Sequence, residues 1–536
     1  MSIRIGLDFD NTIVNYDDVF TSVAKKLKLI NKKWNGSKAQ LRKYFIEKKK
    51  EKTWKKLQGL VYGKYMSKAK INPGFKTFLL KAKILNAKIY IVSHKTIHGH
   101  YDKEKHLLRS KALKWIKKNK IILIEKIYFE GTILEKVKRI EELKLNFFVD
   151  DLSLILEHKL FPKKINKILY NKSLFKIKNK TITSARTWTD IKSLIFGTDN
   201  VDHIKKYCEY IYKKKIIYIN KIKGQKNSEL FKVKFNNNTY GAIKKYPNLD
   251  EDNRQRLKRE ILAIKIMDKN NFKNITNLIS YDFTLNIALF KWIEGKKIKS
   301  INNSELNAAV KFTKRLKKIP NYHVKKYFYD ATEACFNLEN ITDQINKKKY
   351  DLTKNNSSKK IKLFINNIFL PILKKIESNI GKKDNLFKKI YNESVILSPS
   401  DFGFHNCLKK NKNFFVFLDF EYFGKDDAIK FVTDFLLHPG MILTNKQKKI
   451  WVKKMLVIFK NDNTFLHRLS TFLPYYALRW SLIVLNDFKI KNVNKYCKDN
   501  VLDKFEFLRK RNNQIKKATN FCNIAKNESY KKWLHI

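Results

Sequence analysis

Two carboxylates, Asp8 and Asp10, follow directly on a short apolar run at residues 3–7. If that run is a strand of a parallel sheet, its carboxyl end opens onto the crevice where such sheets bind ligands. One carboxylate can then attack phosphorus as a nucleophile while the other moves a proton. Alone, the pair reads equally as a solvated acidic turn. Three further features follow in order. Ser93 ends the apolar run 89–92, where its hydroxyl can hold a phosphate oxygen. Lys136 opens a helical stretch and can neutralise transferred charge. Asp150 and Asp151 close the apolar run 147–149 and form an oxygen-ligand set suited to Mg²⁺. His94 and Lys95, next to Ser93, read as substrate contacts or as a solvated loop.

A second set lies far along the chain. Asp401 is followed by Asn406 and then by Asp419 and Glu421. In this pattern the first carboxylate orients or deprotonates an acceptor hydroxyl, while Asn406 and Asp419 hold Mg²⁺ on nucleotide phosphates. Upstream, Lys244 ends the third of three strand-like runs (216–221, 230–235 and 240–244) and can pair with the α/β-phosphates. Glu260, on the following helix, can lock that lysine in place. The turn 223–228 stands where a phosphate-covering loop belongs, with a single glycine. His405 reads as catalytic or as loop packing, and packing is the reading taken. The run 475–480 reads as helical core rather than as an aromatic platform for nucleic acid.

The elements that must position these residues differ between the halves. Residues 1–196 alternate short apolar runs (3–7, 89–92, 147–149, 168–170) with helical stretches (74–83, 107–117), the pattern of a parallel α/β sheet. A Lys-rich helical insertion occupies 17–70, and residues 197–200 form a polar break. Beyond it the three strand-like runs predict an antiparallel meander. From about 301 the chain reads as helical, interrupted near 395–424 by a strand-like pair and at 347–360 by a Lys- and Asn-rich loop.

In residues 1–196, the ordered set Asp8-Phe-Asp10-Asn-Thr12, Ser93, Lys136 and Asp150-Asp151 resembles the haloacid dehalogenase (HAD) superfamily, whose pattern is DxDx[TV], Ser/Thr, Lys and an acidic pair. The resemblance implies a Rossmann-like α/β domain with a helical cap at about 17–70. It implies Asp8 as the nucleophile that becomes an aspartyl-phosphate and Asp10 as the general acid/base. Thr12, Ser93 and Lys136 would grip the phosphate, with Lys138 close to Lys136. Asp8, Asp10 (through its backbone carbonyl) and Asp150 would bind Mg²⁺, supported by Asp151.

Within a second domain at 200–536, about residues 200–500 resemble the aminoglycoside phosphotransferase and choline kinase family, on Asp401, Asn406, Asp419-Phe-Glu421 and a hinge-like segment at 290–295. This implies an α+β, protein-kinase-like, two-lobed domain. Catalytic Asp401, nucleotide-binding Lys244 and Glu260, and metal ligands Asn406 and Asp419 follow from it, with ATP or GTP as donor and a sugar or aminoalcohol as acceptor. Pro399 and Ser400 stand where the family pattern has His-Gly.

Composition bounds the partners. At roughly 100–200 residues per domain, 536 residues predict two to four domains, and 43% hydrophobic residues exclude global disorder. The net charge of +66 raises nucleic acid as a partner. The excess is mostly lysine and evenly spread, alongside many Asn and Ile, which reads as an A/T-rich codon bias. Five cysteines far apart, at 208, 335, 407, 497 and 522, form no metal-ligand spacing and fit a reducing compartment. The apolar stretch 472–485, interrupted by Arg479, falls short of the roughly 20 residues that span a bilayer, and no secretory signal is evident. The expectation is a cytoplasmic, Mg²⁺-dependent bifunctional enzyme: a phosphomonoesterase on a small phosphate ester, joined to a small-molecule kinase, with no specific nucleic acid and no membrane insertion. Two alternatives stand beside it. One is a nucleic-acid end-processing phosphatase/kinase, against which counts the lack of a GxxxxGK[ST] loop. The other is a phosphatase joined to a non-catalytic kinase-like binding module.

Overall fold

The computed structural model describes residues 2–99, 101–102, 104–172, 179–222, 228–248, 252–319, 329–354, 358–378, 388–488 and 504–534. It divides into two compact units. One comprises residues 1–224 with 230–243 and 280–287, the other 225–229, 244–279 and 288–536.

The first unit is built on β1 (Arg4–Leu7). A small antiparallel pair follows, β2 (Val14–Asn15) with β3 (Lys70–Ile71). Then come β4 (Lys88–His94), β5 (Lys126–Glu130), β6 (Phe147–Asp150), β7 (Asn166–Tyr170) and β8 (Ile182–Ala185). The six-stranded sheet runs β5-β4-β1-β6-β7-β8, and every pairing in it is parallel. Apolar runs of this kind are required because helices cover both faces. In β4, Ile89 and Ile91 pack into one core cluster while Tyr90 and Val92 pack into the other. Gly6 of β1 lets Phe148 and Leu145 close onto the sheet, since a Cβ there would lie 2.4–2.5 Å from their side chains. The chain leaves β1 toward β4 and β5, then returns to β6 on the other side of β1. That reversal is a topological switch point, with its crevice at the carboxyl ends of β1, β4 and β6. Three helices, Asp17–Lys26, Lys38–Glu47 and Glu51–Tyr62, make up the insertion after β1.

The remaining strands begin with β9 (Ile216–Ile222), β10 (Glu229–Phe235), β11 (Tyr240–Lys245), β12 (Leu278–Asp282) and β13 (Ile287–Lys291), a sheet in the order β12-β13-β11-β10-β9. β9 and β10 pair antiparallel, and Phe231, Val233 and Phe235 of β10 alternate inward, as a half-buried strand requires. Helix Arg256–Lys269 lies between β11 and β12. Then follow β14 (Lys296–Lys297), β15 (Val395–Ser398), β16 (Cys407–Lys409), β17 (Phe415–Phe417) and β18 (Gly424–Asp427) among long helices. The expected loop at 347–360 is corrected at its two ends: residues 359–360 begin helix Lys359–Phe364, and residues 355–357 lie outside the described residues. Residues 347–353 belong to helix Leu338–Thr353, whose Ile341, Ile345, Lys348 and Leu352 are buried at helical spacing and whose start is capped by the Asn337 side chain. Residues 472–485 fall in helix Phe465–Val484 and its continuation; Tyr475 and Tyr476 are core, and Arg479 is buried against Asp434 and Glu333. Among the described residues, no helix is long and apolar enough to cross a membrane.

Candidate active sites

Each of the two residue sets gathers within one unit. In the first, the end of β1 is fixed by the Asp8 amide, which donates to Val149 O at 2.8 Å. Lys136 projects from helix Ile133–Glu142, whose start is held by a capping box of Thr132 and Glu135. Its ammonium donates to Asp8 Oδ1 at 2.7 Å and to Asp150 Oδ2 at 2.6 Å. Lys138 is exposed, so Lys136 is the inward lysine. Burial works against the Lys136 charge, but Asp150 and Asp8 outweigh it and its pKa is raised. Burial pushes Asp8 up to about 7, opposed by Lys136 and helped by Asp150 and Asp10. Asp151 is also raised, first by burial and then by Asp150 and Asp8. Oxygens of Asp8, Asp150 and Asp151 lie within 4.8 Å of one another. Two buried carboxylates and the half-buried Asp151 converge around Lys136, with Lys38 offsetting only part of the charge of Asp151, and an all-oxygen donor set of this kind fits Mg²⁺.

Asp10 stands apart from that cluster. Its Oδ1 accepts from Tyr16 Oη at 2.5 Å and its Oδ2 from Lys95 Nζ at 2.6 Å. Lys95 is 3% exposed, so its solvated-loop reading is corrected; His94 remains exposed, with Nε2 2.9 Å from Gly131 O. Asn11, between Asp10 and Thr12, has φ 62°, and Asn72 Nδ2 ties the turn by donating to both Asn11 O and Thr12 O at 2.8 Å. Thr12 and Ser93 are buried, and Thr12 Oγ1 has no hydrogen-bond partner among the described residues. The insertion adds a residue that sequence reasoning missed. Lys38, first in its helix, donates to Asn11 Oδ1 at 2.5 Å and Tyr62 Oη at 3.2 Å. Nothing in the sequence distinguishes it from the other lysines of that stretch.

In the second set, Lys244 near the end of β11 is 8% exposed and surrounded by acids. It donates to Glu260 Oε2 at 2.7 Å and Asp419 Oδ1 at 2.6 Å, and lies 3.1 Å from Glu421 Oε2. Burial opposes its charge, but Asp419 and Glu260 raise its pKa well above the usual value. Tyr246 Oη also donates to Glu260 Oε2, at 2.7 Å. Burial pushes Asp419 up to about 6, against the pull of Lys244. Glu421 moves the other way. Burial would raise it, but Lys244 and Arg256 hold it below its ordinary value, and Ser228 Oγ donates to it at 2.7 Å. Ser228 is the described end of the 223–228 turn; residues 223–227 lie outside the described residues.

Asp401 follows β15 in a turn where Ser400 takes φ 65°. The turn is held by Ser398 Oγ, which accepts from Ser400 N at 3.0 Å, and by Ser400 Oγ, which donates to Thr332 O at 3.0 Å. Asn406 Nδ2 donates to Asp401 O at 3.0 Å, which leaves the amide oxygen as the atom to offer a cation. β16 and β17 pair antiparallel from Cys407 and Phe417, and Leu418 N donates to Asn406 O at 2.9 Å. The hairpin therefore carries Asn406 and Asp419 at its open end. Asp419 has φ 64°, a strained choice for a residue with a Cβ and one that clusters at functional sites. An amide and a carboxylate oxygen fit Mg²⁺. His405 packs in the turn, with its Nε2 3.0 Å from Asp401 Oδ1. His438, which sequence reasoning missed, lies 3.2 Å from the same oxygen. Burial would raise Asp401, but these two imidazoles hold it well below the usual carboxylate range.

No family model and no curated protein matches the chain. Among solved structures it is similar to spectinomycin phosphotransferase APH(9)-Ia, in complex with ADP and spectinomycin, at 11% identity and TM-score 0.43 over 60% of this chain and 99% of that one. It is also similar to the amicoumacin kinase hAmiN at 10% identity and TM-score 0.43, over 63% of this chain and 96% of that one. A choline kinase from Cryptosporidium parvum Iowa II matches at 15% identity and TM-score 0.37, over 57% of this chain and 92% of that one.

Proposed function

We propose that residues 200–536 form an ATP- or GTP-dependent kinase acting on a hydroxyl of a small molecule such as a sugar or aminoalcohol. The observation that supports it is Lys244 held at once by Glu260 and Asp419, with Asp401 and Asn406 on the neighbouring turn. Phosphoryl transfer depends on positioning and charge neutralisation more than on covalent chemistry. Lys244 binds the donor phosphates and Glu260 fixes the lysine. Asp419 and Asn406 are the residues that would hold Mg²⁺, which supplies neutralisation of phosphate charge when bound. Asp401 accepts a hydrogen bond from the acceptor hydroxyl and takes its proton as the new P–O bond forms and the β–γ bridge bond breaks. Calorimetry with Mg²⁺-ATP and Mg²⁺-GTP, followed by a transfer assay over sugars, aminoalcohols and nucleosides, tests this. Absence of nucleotide binding at millimolar concentration would sink it.

A second activity belongs to residues 1–196, supported by Lys136 bridging Asp8 and Asp150 beside Asp151. There we assign phosphomonoester hydrolysis. Asp8 attacks phosphorus, the ester P–O bond breaks, and the leaving oxygen takes its proton through Asp10, which Tyr16 and Lys95 orient. Water then cleaves the aspartyl-phosphate, giving a proton to Asp10 and releasing inorganic phosphate. Asp8, Asp10 (through its carbonyl), Asp150 and Asp151 would hold Mg²⁺, while Ser93, Thr12 and Lys136 fix the phosphoryl oxygens. Phosphate release from a metabolite panel, with and without chelator, tests this assignment independently.

A further inference from the structure

The turn that carries Asp401 holds a device that the proposed kinase chemistry does not by itself require. His405 Nε2 and His438 Nε2 both meet Asp401 Oδ1, at 3.0 and 3.2 Å. The two rings are parallel, with centroids 3.8 Å apart and an interplanar angle of 2°. His405 lies in the turn itself, whereas His438 caps the end of helix Ala428–Leu437. Two glycines make room for the stack. A Cβ on Gly403 would come within 2.8 Å of His405 Nδ1, and one on Gly440 within 2.9 Å of His438 Cε1 and 3.3 Å of His405 Cβ. Trp480 packs edge-on against His438 with centroids 5.1 Å apart, and its own indole N–H is tied to Asp434 at 2.8 Å.

One imidazole's protonation site is fixed by its surroundings. His438 Nδ1 accepts from the Gly440 amide at 3.0 Å, so the neutral ring carries its proton on Nε2, facing Asp401. His405 Nδ1 is buried without a partner among the described residues, so the proton of that ring also belongs on Nε2, where it has an acceptor. Two imidazoles and a carboxylate within 4.8 Å otherwise make a zinc-type donor set. An Nε2 that carries a proton cannot ligate, and the Gly440 amide therefore decides against that reading.

We propose that His405 and His438 form a clamp that positions the Asp401 carboxylate, occupying Oδ1 from both imidazoles and turning Oδ2, which Asn406 Nδ2 meets only at 3.4 Å, toward the acceptor hydroxyl. The proposal rests on the kinase reading for its consequence and on the structure alone for its geometry. A carboxylate free to rotate offers its acceptor geometry only part of the time, and misplacement by about 1 Å costs on the order of a hundredfold in rate. His438 is thus a positioning residue, acting through Asp401 and not on the substrate.

The experiment uses the full chain and three variants. His438→Phe keeps a ring for the stack and removes the donor. His438→Gln restores a donor near the Nε2 position. Gly440→Ala crowds the ring without touching either histidine. His438→Phe should lower kcat by about ten- to a hundredfold with nucleotide Kd unchanged, His438→Gln should recover most of the loss, and Gly440→Ala should fall between. Long-range ¹⁵N–¹H correlation spectra of the imidazoles should show His438 in the Nε2–H form. Wild-type kcat in His438→Phe would overturn the clamp, as would an Nδ1–H His438 or micromolar Zn²⁺ binding lost in that variant. If the wild-type chain transfers no phosphate to any acceptor, the kinase reading fails, and the tautomer still decides the geometry.

Discussion

Both candidate sites bury a lysine among carboxylates, and they balance its charge in opposite ways. Around Lys136, Asp8 and Asp151 are both pushed above their ordinary pKa, and Lys136 alone bridges the acids Asp8 and Asp150. Around Lys244, that lysine and then Arg256 hold Glu421 down, while burial pushes Asp419 up. On the proposed functions, a divalent ion would supply the positive charge that the first site lacks, and in the second, which is nearer balance, Asp419 would exchange lysine for metal. Their backbones differ in the same sense. The first site's carboxylates stand at the ends of straight parallel strands, whereas Ser400 and Asp419 of the second sit in left-handed turns.

The comparison breaks most directly at Asp8. Asp8→Asn should cut phosphomonoester hydrolysis by at least about a thousandfold, as loss of a nucleophile does, and leave kinase activity and circular dichroism unchanged. A variant that kept wild-type phosphatase rates would remove Asp8 from the role of nucleophile.

Charge balance predicts the next effect. Lys136→Met leaves Asp8 and Asp150 buried without their cation and should cost about 3–5 kcal/mol in denaturant unfolding, with part regained in millimolar Mg²⁺. Lys244→Met should cost less, about 1–3 kcal/mol, because Arg256 still pairs with Glu421 and Tyr246 still donates to Glu260. Equal losses, or no Mg²⁺ rescue of Lys136→Met, would mean that the two sites are balanced alike.

Within the second site, Asp419 and Asp401 should separate binding from transfer. Asp419→Ala should weaken Mg²⁺-nucleotide binding by about ten- to a hundredfold, since it removes a metal-facing carboxylate. Asp401→Ala should leave nucleotide Kd within about twofold and stop transfer, because the acceptor hydroxyl loses its partner. Calorimetry read beside the transfer assay checks both.

What the sequence revealed follows the same division. Asp8, Ser93, Lys136 and Asp150 were legible because a parallel sheet puts each at a strand end or on the helix that follows, and chain order alone fixes their convergence. Lys244 and Glu260 were legible for the same reason, as a strand end and the next helix. Residues delivered across long gaps left no local signal. Lys38 is one lysine among many in the insertion, Arg256 one cation on a basic helix, and His438 a lone histidine after ten buried residues. Lys95 was ambiguous because partnership with Asp10 depends on how the β4 loop folds back, which spacing does not encode. The 347–353 stretch was misread because its lysines, and the Asn residues that follow it, outweighed Lys348 and Leu352, which continue the buried stripe of Ile341 and Ile345 in the same helix.

The smallest effect concerns how each site's helix begins. Helix Ile133–Glu142, which carries Lys136, starts from a Thr132–Glu135 capping box that satisfies two backbone donors. Helix Arg256–Lys269, which carries Glu260, starts at Gln255 with φ 51° and no side-chain cap, anchored instead by Arg256 on Asp252 and Glu421. Thr132→Ala should therefore destabilise by about 1 kcal/mol. Because the Lys136 bonds to Asp8 and Asp150 hold the helix from its other face, phosphatase kcat should fall no more than a few-fold. Gln255→Gly should move stability by less than about 1 kcal/mol, since relief of the left-handed Cβ contact is offset by the greater entropy of the unfolded glycine. Thermal melts of both variants beside wild type measure the difference. A Thr132→Ala variant that lost phosphatase activity outright while melting normally would show that Lys136 is placed by the cap and not by its carboxylates.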